Sequence, residues 1–259
     1  MDRDLLAELA LLRDLGFTHL DIPKAAAATG EHAQIDAAAR TPVTSRRQSP
    51  PAAAPKPRAS AAGDASGPAT GDITTAESLD DLCALSAACN RCRLARGRTQ
   101  VVYGVGNSDA DLMFVGEAPG RDEDLQGEPF VGRAGQLLTD IIRAMKLSRE
   151  MVYIGNVIKC RPPENRNPEP DELDACRPLI RRQIELIKPR VIVTLGRFAL
   201  QSLTERAYSI SSLRGKWLAY GDIKLMPTYH PAYLLRNPAA KKDVWADMKK
   251  VMAELGIEA

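Results

Sequence analysis

The sequence predicts an α/β fold, a three-layer α/β/α sandwich around a mainly parallel, four-stranded central sheet. Four short apolar runs lack the alternation of a half-buried strand, which is typical of strands that are covered on both faces. Helical periodicity separates these runs, and strands that alternate with helices usually pair in parallel. With 259 residues, 44% of them hydrophobic, the chain is long enough to bury such a core.

The first element along the chain is a short amphipathic helix, assigned to residues 1–20. Leucines recur at mostly helical intervals between residues 3 and 15, and the pattern stops at Gly16. A helix of this kind beside a long tether is commonly a docking element for a protein partner, and a regulatory segment is equally consistent.

Residues 21–75 are predicted to be a disordered linker rich in Ala and Pro. Between positions 41 and 70, Ala, Pro, Ser and Gly make up 20 of the 30 residues, and Val43 is the only large aliphatic one. This composition cannot build a core. Because basic residues outnumber acidic ones here, an arm that follows DNA is the alternative to a plain flexible tether.

Residues 76–259 are predicted to form the folded domain. Its four strands are expected at Asp111–Val115, Met151–Ile158, Arg190–Leu195 and Ile223–Tyr229. Its helices are expected at Gly132–Lys146, Pro170–Ile187, Arg197–Leu203 and Ala239–Leu255. Open parallel sheets bind ligands outside the carboxyl ends of their strands. We therefore expect one cleft to gather Glu117, Asn156, Arg197 and His230.

Composition limits the possible classes of function. Lys and Arg number 35 against 33 Asp and Glu, so any surface that binds nucleic acid must be local. No apolar run approaches the roughly 20 residues that cross a bilayer, and the first four residues are unlike the start of a signal peptide. The sequence thus predicts a cytoplasmic protein that does not bind membranes.

Four cysteines form a candidate metal centre. Cys89 and Cys92 are a C-x2-C pair, Cys160 follows the second strand, and Cys176 lies on the next helix. Five cysteines without a secretory signal favour a metal site over disulfides, and four thiolates suit zinc and an iron-sulfur cluster equally. Burial of Cys160 and Cys176 as small hydrophobic residues is the simpler alternative. Cys83 lies on an apolar helix face, where we expect packing, and is excluded as a ligand.

Basic residues surround these cysteines in the sequence. They are Arg91, Arg93, Arg96, Arg98, Lys159 and Arg161. Their charges can offset thiolates, contact phosphates, or do both.

Four segments carry a family resemblance: GEAPGRDED at residues 116–124, GEPFVG at 127–132, NVIKCRPP at 156–163 and YHPA at 229–232. Over residues 83–254 the chain resembles the family 4 uracil-DNA glycosylases. The resemblance implies that Cys89, Cys92, Cys160 and Cys176 hold a structural [4Fe-4S] cluster. It also implies a DNA repair enzyme that flips uracil out of single- or double-stranded DNA and hydrolyses its N-glycosidic bond, leaving an abasic site. We expect a monomer.

Three side chains are expected to handle the flipped uracil. The resemblance assigns Phe130 to stacking on the base, with core packing as the alternative. Asn156 can donate to uracil O4 and accept from N3–H, and cytosine presents the reverse pattern. An Asn at a strand end is, however, often only a turn former. His230 can donate to O2 and stabilise the departing anion by about 3 kcal/mol, with bracing of a turn as its alternative.

Glu117, Ala118 and Pro119 line the pocket floor by resemblance. Family 1 enzymes carry an Asp where Ala118 falls, and that Asp assists the attacking water. Ala118 cannot do so, and we expect catalysis by leaving-group stabilisation, with Glu117 helping to position water. Gly120 stands where family 1 has a Tyr that excludes thymine, which makes Glu123 the candidate for that role.

A duplex wedge is expected after the His-Pro pair. Leu234, Leu235 and Arg236 are its candidates, because apolar side chains can fill the gap that a flipped base leaves. Inward packing of either leucine is the alternative.

Two other functions remain open. A uracil-DNA binding protein of the same superfamily that crosslinks to its product carries a reactive His in an inserted loop, and residues 161–168 contain no His. A metal-stabilised nucleic-acid-binding module without catalysis would require Phe130, Asn156 and His230 all to be structural.

Overall fold

The structure is a computed structural model that describes residues 72–258. The predicted N-terminal helix and residues 21–71 of the predicted linker lie outside the described residues. Within the described part of the chain, every helix is too short or too polar to span a bilayer.

The central sheet has six strands. They are β1 (Val105–Gly106), β2 (Leu112–Gly116), β3 (Tyr153–Asn156), β4 (Val191–Leu195), β5 (Leu218–Tyr220) and β6 (Ile223–Thr228). The spatial order is β1-β3-β2-β4-β6-β5, in which the middle four strands are parallel. These four are the predicted strands, each slightly shorter than or shifted from its expected bounds.

The predicted number of four strands was wrong, because an antiparallel strand closes each edge of the sheet. β1 has two residues and β5 has three, and all five are exposed or half-buried. Strands of two and three residues are too short to show a strand period in the sequence, which is why periodicity missed them.

Eight α-helices are described. They are α1 (Leu79–Ala87), α2 (Arg121–Gln126), α3 (Arg133–Ala144), α4 (Pro170–Ile187), α5 (Arg197–Thr204), α6 (Ile210–Leu213), α7 (Pro231–Arg236) and α8 (Lys241–Leu255). Short 3₁₀ helices occur at Ile73–Thr75, Arg93–Arg96, Pro163–Asn165 and Pro238–Ala240. The four predicted helices correspond to α3, α4, α5 and α8.

Two hydrophobic cores cover the two faces of the sheet, and the predicted three-layer sandwich is confirmed. Met113 and Val115 of β2 face one core, which α1, α4 and α5 complete. Leu112 and Phe114 face the other core, which α3, α7 and α8 complete. Because successive residues of a strand point to opposite faces, one run of apolar residues supplies both cores.

The last residues of the predicted linker pack against the folded domain. Asp72 caps the 3₁₀ helix Ile73–Thr75, and Ile73 is buried against the first core. Cys83 departs from its prediction in another way. It is exposed on α1, so the expected packing of its side chain was wrong.

Candidate active site

The carboxyl ends of the parallel strands open into one cleft of about 480 Å³. Its lining includes the predicted residues Glu117, Ala118, Pro119, Glu123, Phe130, Asn156, His230 and Arg236. The segment after β3 adds Pro162, Asn165, Arg166 and Asn167 as a further wall, which the sequence did not indicate. Arg197, expected here, does not line the cleft.

Phe130 and Asn156 both crowd the Cβ position of Gly116, at the end of β2. A Cβ placed on Gly116 would lie 2.3 Å from Asn156 Oδ1 and 2.5 Å from Phe130 Cζ. Real Cβ atoms do not approach that closely, so only Gly lets these two side chains meet at this point. Glycine is therefore required at position 116 because the side chains of Phe130 and Asn156 approach its backbone closely.

Phe130 has a left-handed backbone, with φ at 56°. A non-glycine residue in this conformation costs about 1–3 kcal/mol and persists only where its surroundings hold it. Arg149 holds it here, because its guanidinium donates to the Phe130 carbonyl oxygen at 3.1 Å and to the Pro129 carbonyl oxygen at 2.8 Å. Arg149 is thus a supporting residue that sequence reasoning missed.

Asn156 is buried, yet its Oδ1 finds no hydrogen-bond partner among the described residues. A buried carbonyl oxygen without a partner costs roughly 1–3 kcal/mol. Asn156 lines the cleft, where a ligand that carries an N–H donor would satisfy this oxygen.

The His230 ring is held as a neutral donor. Its Nδ1 accepts from the backbone N–H of Ala232 at 3.1 Å, at the start of α7. Burial, with a smaller contribution from Arg236, lowers the pKa of His230 to about 4. A neutral imidazole with an accepting Nδ1 must carry its proton on Nε2. The ring centroid lies 5.6 Å from that of Phe130, so both rings belong to one pocket.

Glu117 continues the chain beyond β2. Its backbone carbonyl accepts from Ile158 N at 3.0 Å, which prolongs the pairing with the β3 segment. Burial raises the pKa of its carboxyl to about 7, and the nearby positive charge of Arg197 opposes this shift. Glu117 therefore changes charge near neutral pH, and Arg197 acts on it from outside the cleft lining.

Glu123 ties two loops of the cleft together. One carboxylate oxygen accepts from Gly120 N at 3.1 Å, and the other accepts from Val131 N and Gly132 N, both at 3.0 Å. The Glu123 carboxylate, which was expected to exclude thymine, thus accepts hydrogen bonds from three backbone N–H groups. Its position fixes the Phe130 loop relative to the pocket floor.

The predicted wedge divides into buried and exposed members. Leu234 is 1% exposed and packs in the second core, so its assignment to the wedge was wrong. Leu235 is 39% exposed and its neighbour Tyr233 is 38% exposed. Arg236 is exposed and lines the cleft. The helical turn of α7 explains the split, because adjacent residues face different directions.

The four predicted ligand cysteines line one small pocket. Cys89, Cys92, Cys160 and Cys176 share it with Arg98 and Lys159. Arg98 Nη1 approaches Cys160 Sγ at 3.4 Å and Cys89 O at 2.6 Å. The buried Lys159 donates to the Gln183 side chain.

The donor chemistry of this pocket fits a cationic group. Burial raises the pKa of the Cys92, Cys160 and Cys176 thiols, so thiolates there need a positive partner. Among residues 72–258, no three His, Cys, Asp or Glu side chains are arranged to hold a single metal ion. The four cysteines that the sequence proposes as ligands nevertheless line one pocket.

The sequence of this chain is similar to those of known proteins. The family model described as the uracil DNA glycosylase superfamily matches residues 103–249. A type-4 uracil-DNA glycosylase of Archaeoglobus fulgidus is 48% identical over 183 residues, which cover 68% of this chain and 92% of the relative. A type-4 uracil-DNA glycosylase of Thermotoga maritima is 52% identical over 153 residues, 58% of this chain and 79% of the relative. A type-5 uracil-DNA glycosylase of Thermus thermophilus is 33% identical over 117 residues, 39% of this chain and 53% of the relative.

Proposed function

Because the chain belongs to the uracil-DNA glycosylase superfamily, and within it to the type-4 enzymes, we propose that it removes uracil from DNA. It is a DNA repair glycosylase that flips the base out of the helix and hydrolyses the N-glycosidic bond, leaving an abasic site. The observation that carries this conclusion is the buried Asn156, which lines a cleft together with Phe130 and His230 and whose Oδ1 lacks a partner among the described residues.

Asn156 supplies the recognition of uracil. Its Oδ1 accepts from uracil N3–H and its NH₂ donates to O4, so the base satisfies the buried oxygen. Cytosine has an acceptor at N3 and a donor at N4. Its N3 would therefore face the accepting Oδ1 of the amide, and its N4 would face the donating NH₂. Phe130 stacks on the base, and its ring is fixed by the strained backbone that Arg149 holds.

His230 stabilises the leaving group. Negative charge develops on uracil O2 as the bond to the sugar C1′ breaks, and a neutral Nε2–H can donate to it without gaining a proton. A preorganised donor of this kind lowers the barrier by on the order of 3 kcal/mol. The low pKa of His230 keeps the imidazole neutral across the physiological range.

Activation of the attacking water does not depend on a strong base in this proposal. Ala118 has no group that can orient water, and Glu117 is the carboxyl that lines the cleft beside it. With a pKa near 7, Glu117 is partly protonated at neutral pH and assigned to water positioning. Cleavage of the glycosidic bond then depends chiefly on stabilisation of the departing base, because His230 and the pocket amides stabilise its negative charge.

Four thiolates, from Cys89, Cys92, Cys160 and Cys176, would hold a [4Fe-4S] cluster. Their common pocket, their soft donor atoms and the neighbouring Arg98 and Lys159 support this assignment. When bound, the cluster supplies a structural crosslink among the three segments that carry its ligands.

The exposed face of α7 contacts DNA in this proposal. Leu235 and Tyr233 present apolar surface beside Arg236 at the edge of the cleft, which suits a wedge that replaces a flipped base in a duplex. Glu123 fixes the wall that the uracil C5 position faces, and we assign exclusion of the thymine methyl to that wall. The enzyme acts as a monomer.

A direct assay separates this function from its alternatives. The full chain is incubated with DNA that contains one uracil, and free uracil and abasic sites are measured under multiple turnover. Catalytic release supports the glycosylase, whereas one covalent adduct per protein supports a crosslinking protein. Binding without release supports a nucleic-acid-binding module. Iron and sulfide content, with absorbance in the visible range, distinguishes the cluster from zinc.

A further inference from the structure

Glu172 contacts one residue beside the cysteine centre and one from the wall of the cleft. It stands in the first turn of α4, four residues before Cys176, and its side chain is fully buried. A buried carboxylate requires partners, because an uncompensated charge in the interior costs several kcal/mol.

Two arginines from different segments supply those partners. Arg166 Nη1 donates to Glu172 Oε2 at 2.9 Å, and its Nη2 donates to Oε1 at 2.6 Å. Arg93 Nε lies 3.1 Å from the same Oε1. The backbone N–H of Glu169 adds a fourth contact, to Oε2 at 2.9 Å. Hydrogen bonding from Arg166 is the largest cause of the lowered pKa of Glu172, which is therefore ionised.

Each arginine connects a different functional segment to the Glu172 carboxylate. Arg93 directly follows Cys92, and it also donates to Asp171 on α4 at 2.8 Å. Arg166 belongs to the segment after Cys160, donates to the Asn167 carbonyl at 2.9 Å, and lines the cleft. One buried carboxylate thus joins the C-x2-C segment, the cleft wall and the helix of Cys176.

We propose that Glu172 is a positioning residue that couples the cysteine centre to the uracil cleft through Arg93 and Arg166. Through Arg93 it holds the Cys89–Cys92 segment against α4, and through Arg166 it holds the wall formed by Pro162 and residues 165–167. This inference rests on the proposed cluster and glycosylase activity, and it assigns a physical link between them.

The test compares Glu172→Gln with Asp174→Asn as its matched control. Asp174 lies on the same helix, pairs with Arg177 three residues along, and is mostly exposed. Two quantities are measured on the iron-loaded full chain: the rate at which an iron chelator bleaches the visible absorbance, and KM and kcat for uracil-containing DNA. We expect Glu172→Gln to lose iron at least about tenfold faster than the control. We also expect its KM to rise roughly tenfold with kcat within about threefold, because Asn156 and His230 stand on other elements.

Arg93→Gln and Arg166→Gln keep the inference testable if Glu172→Gln fails to fold. Arg93→Gln is expected to accelerate iron loss with little change in KM, and Arg166→Gln is expected to raise KM. Glu172→Gln that matches Asp174→Asn in both measurements would overturn the coupling, as would wild-type behaviour of both arginine variants. A wild-type chain that binds iron but releases no uracil would refute the glycosylase, while the chelator comparison would still decide whether Glu172 holds the Cys89–Cys92 segment.

Discussion

Gly116→Ala is expected to close the uracil site while leaving the fold intact. The backbone of Gly116 does not require glycine, but its Cβ would lie 2.3 Å from Asn156 Oδ1 and 2.5 and 2.7 Å from Phe130 ring atoms. Ordinary van der Waals contact begins near 3.4 Å, so both side chains must move by roughly 1 Å. A misplacement of that size can cost about 10²-fold in rate, and overpacking costs about 1–3 kcal/mol of stability.

The assay for Gly116→Ala is single-turnover release of uracil from a labelled oligonucleotide, with thermal unfolding measured on the same samples. Gly97→Ala is the matched control, because a Cβ at Gly97 meets no atom within 4 Å and its φ is −111°. We expect about a 10²-fold lower rate for Gly116→Ala and a rate near wild type for Gly97→Ala. Rates within about threefold of each other would refute the inferred contact between Gly116, Asn156 and Phe130.

Three further predictions follow from the same site. Burial raises the pKa of Glu117 from 4.5 to about 7. Between these two pH values the folded protein keeps a proton on Glu117 that the unfolded chain has lost, so the free energy of unfolding falls as pH rises from 4.5 to about 7. Glu117→Gln should therefore be more stable than wild type at pH 8 and equally stable at pH 4 in urea unfolding, and no gain at pH 8 would contradict this. Leu234→Ala should lower the free energy of unfolding by about 2–5 kcal/mol. Leu235→Ala should leave stability unchanged and should slow uracil release from duplex DNA more than from single-stranded DNA. Equal effects of Leu235→Ala on the two substrates would argue against the wedge. Glu123→Ala removes the acceptor of three backbone donors and should slow uracil release by roughly 10–100-fold in the same assay. Release of thymine by this variant would assign exclusion to the carboxylate, and continued rejection would count against that role.

Strong local patterns made most of the fold predictable. The four central strands are covered on both faces, so they appear as continuous apolar runs, and Pro170 at the start of α4 marks that helix boundary directly. The edge strands β1 and β5 depend on pairing with a neighbour, and segments of two and three residues are too short to carry such a pattern. Ile73 illustrates the same limit, because its burial depends on a core formed by distant residues.

Site residues divided along a similar line. Asn156 and His230 were proposed because they stand at strand ends within segments that carry the family resemblance, and the structure brings both to the cleft. Leu234 and Leu235 are adjacent and chemically identical, so only the orientation of α7 separates core from surface. Arg149, Glu172 and the cleft wall at residues 165–167 were missed, because their roles consist of contacts between segments distant in sequence.

The most direct test of the central claim measures base release by wild type, Asn156→Ala and His230→Ala. Each protein is assayed on matched oligonucleotides that carry a single uracil, hypoxanthine or thymine, with folding verified by circular dichroism. We predict that wild type releases uracil and retains thymine, and that each substitution lowers uracil release by at least about 10²-fold, as expected from a loss near 3 kcal/mol. Uracil release at wild-type rates by both variants would contradict the assignment of recognition to Asn156 and leaving-group stabilisation to His230.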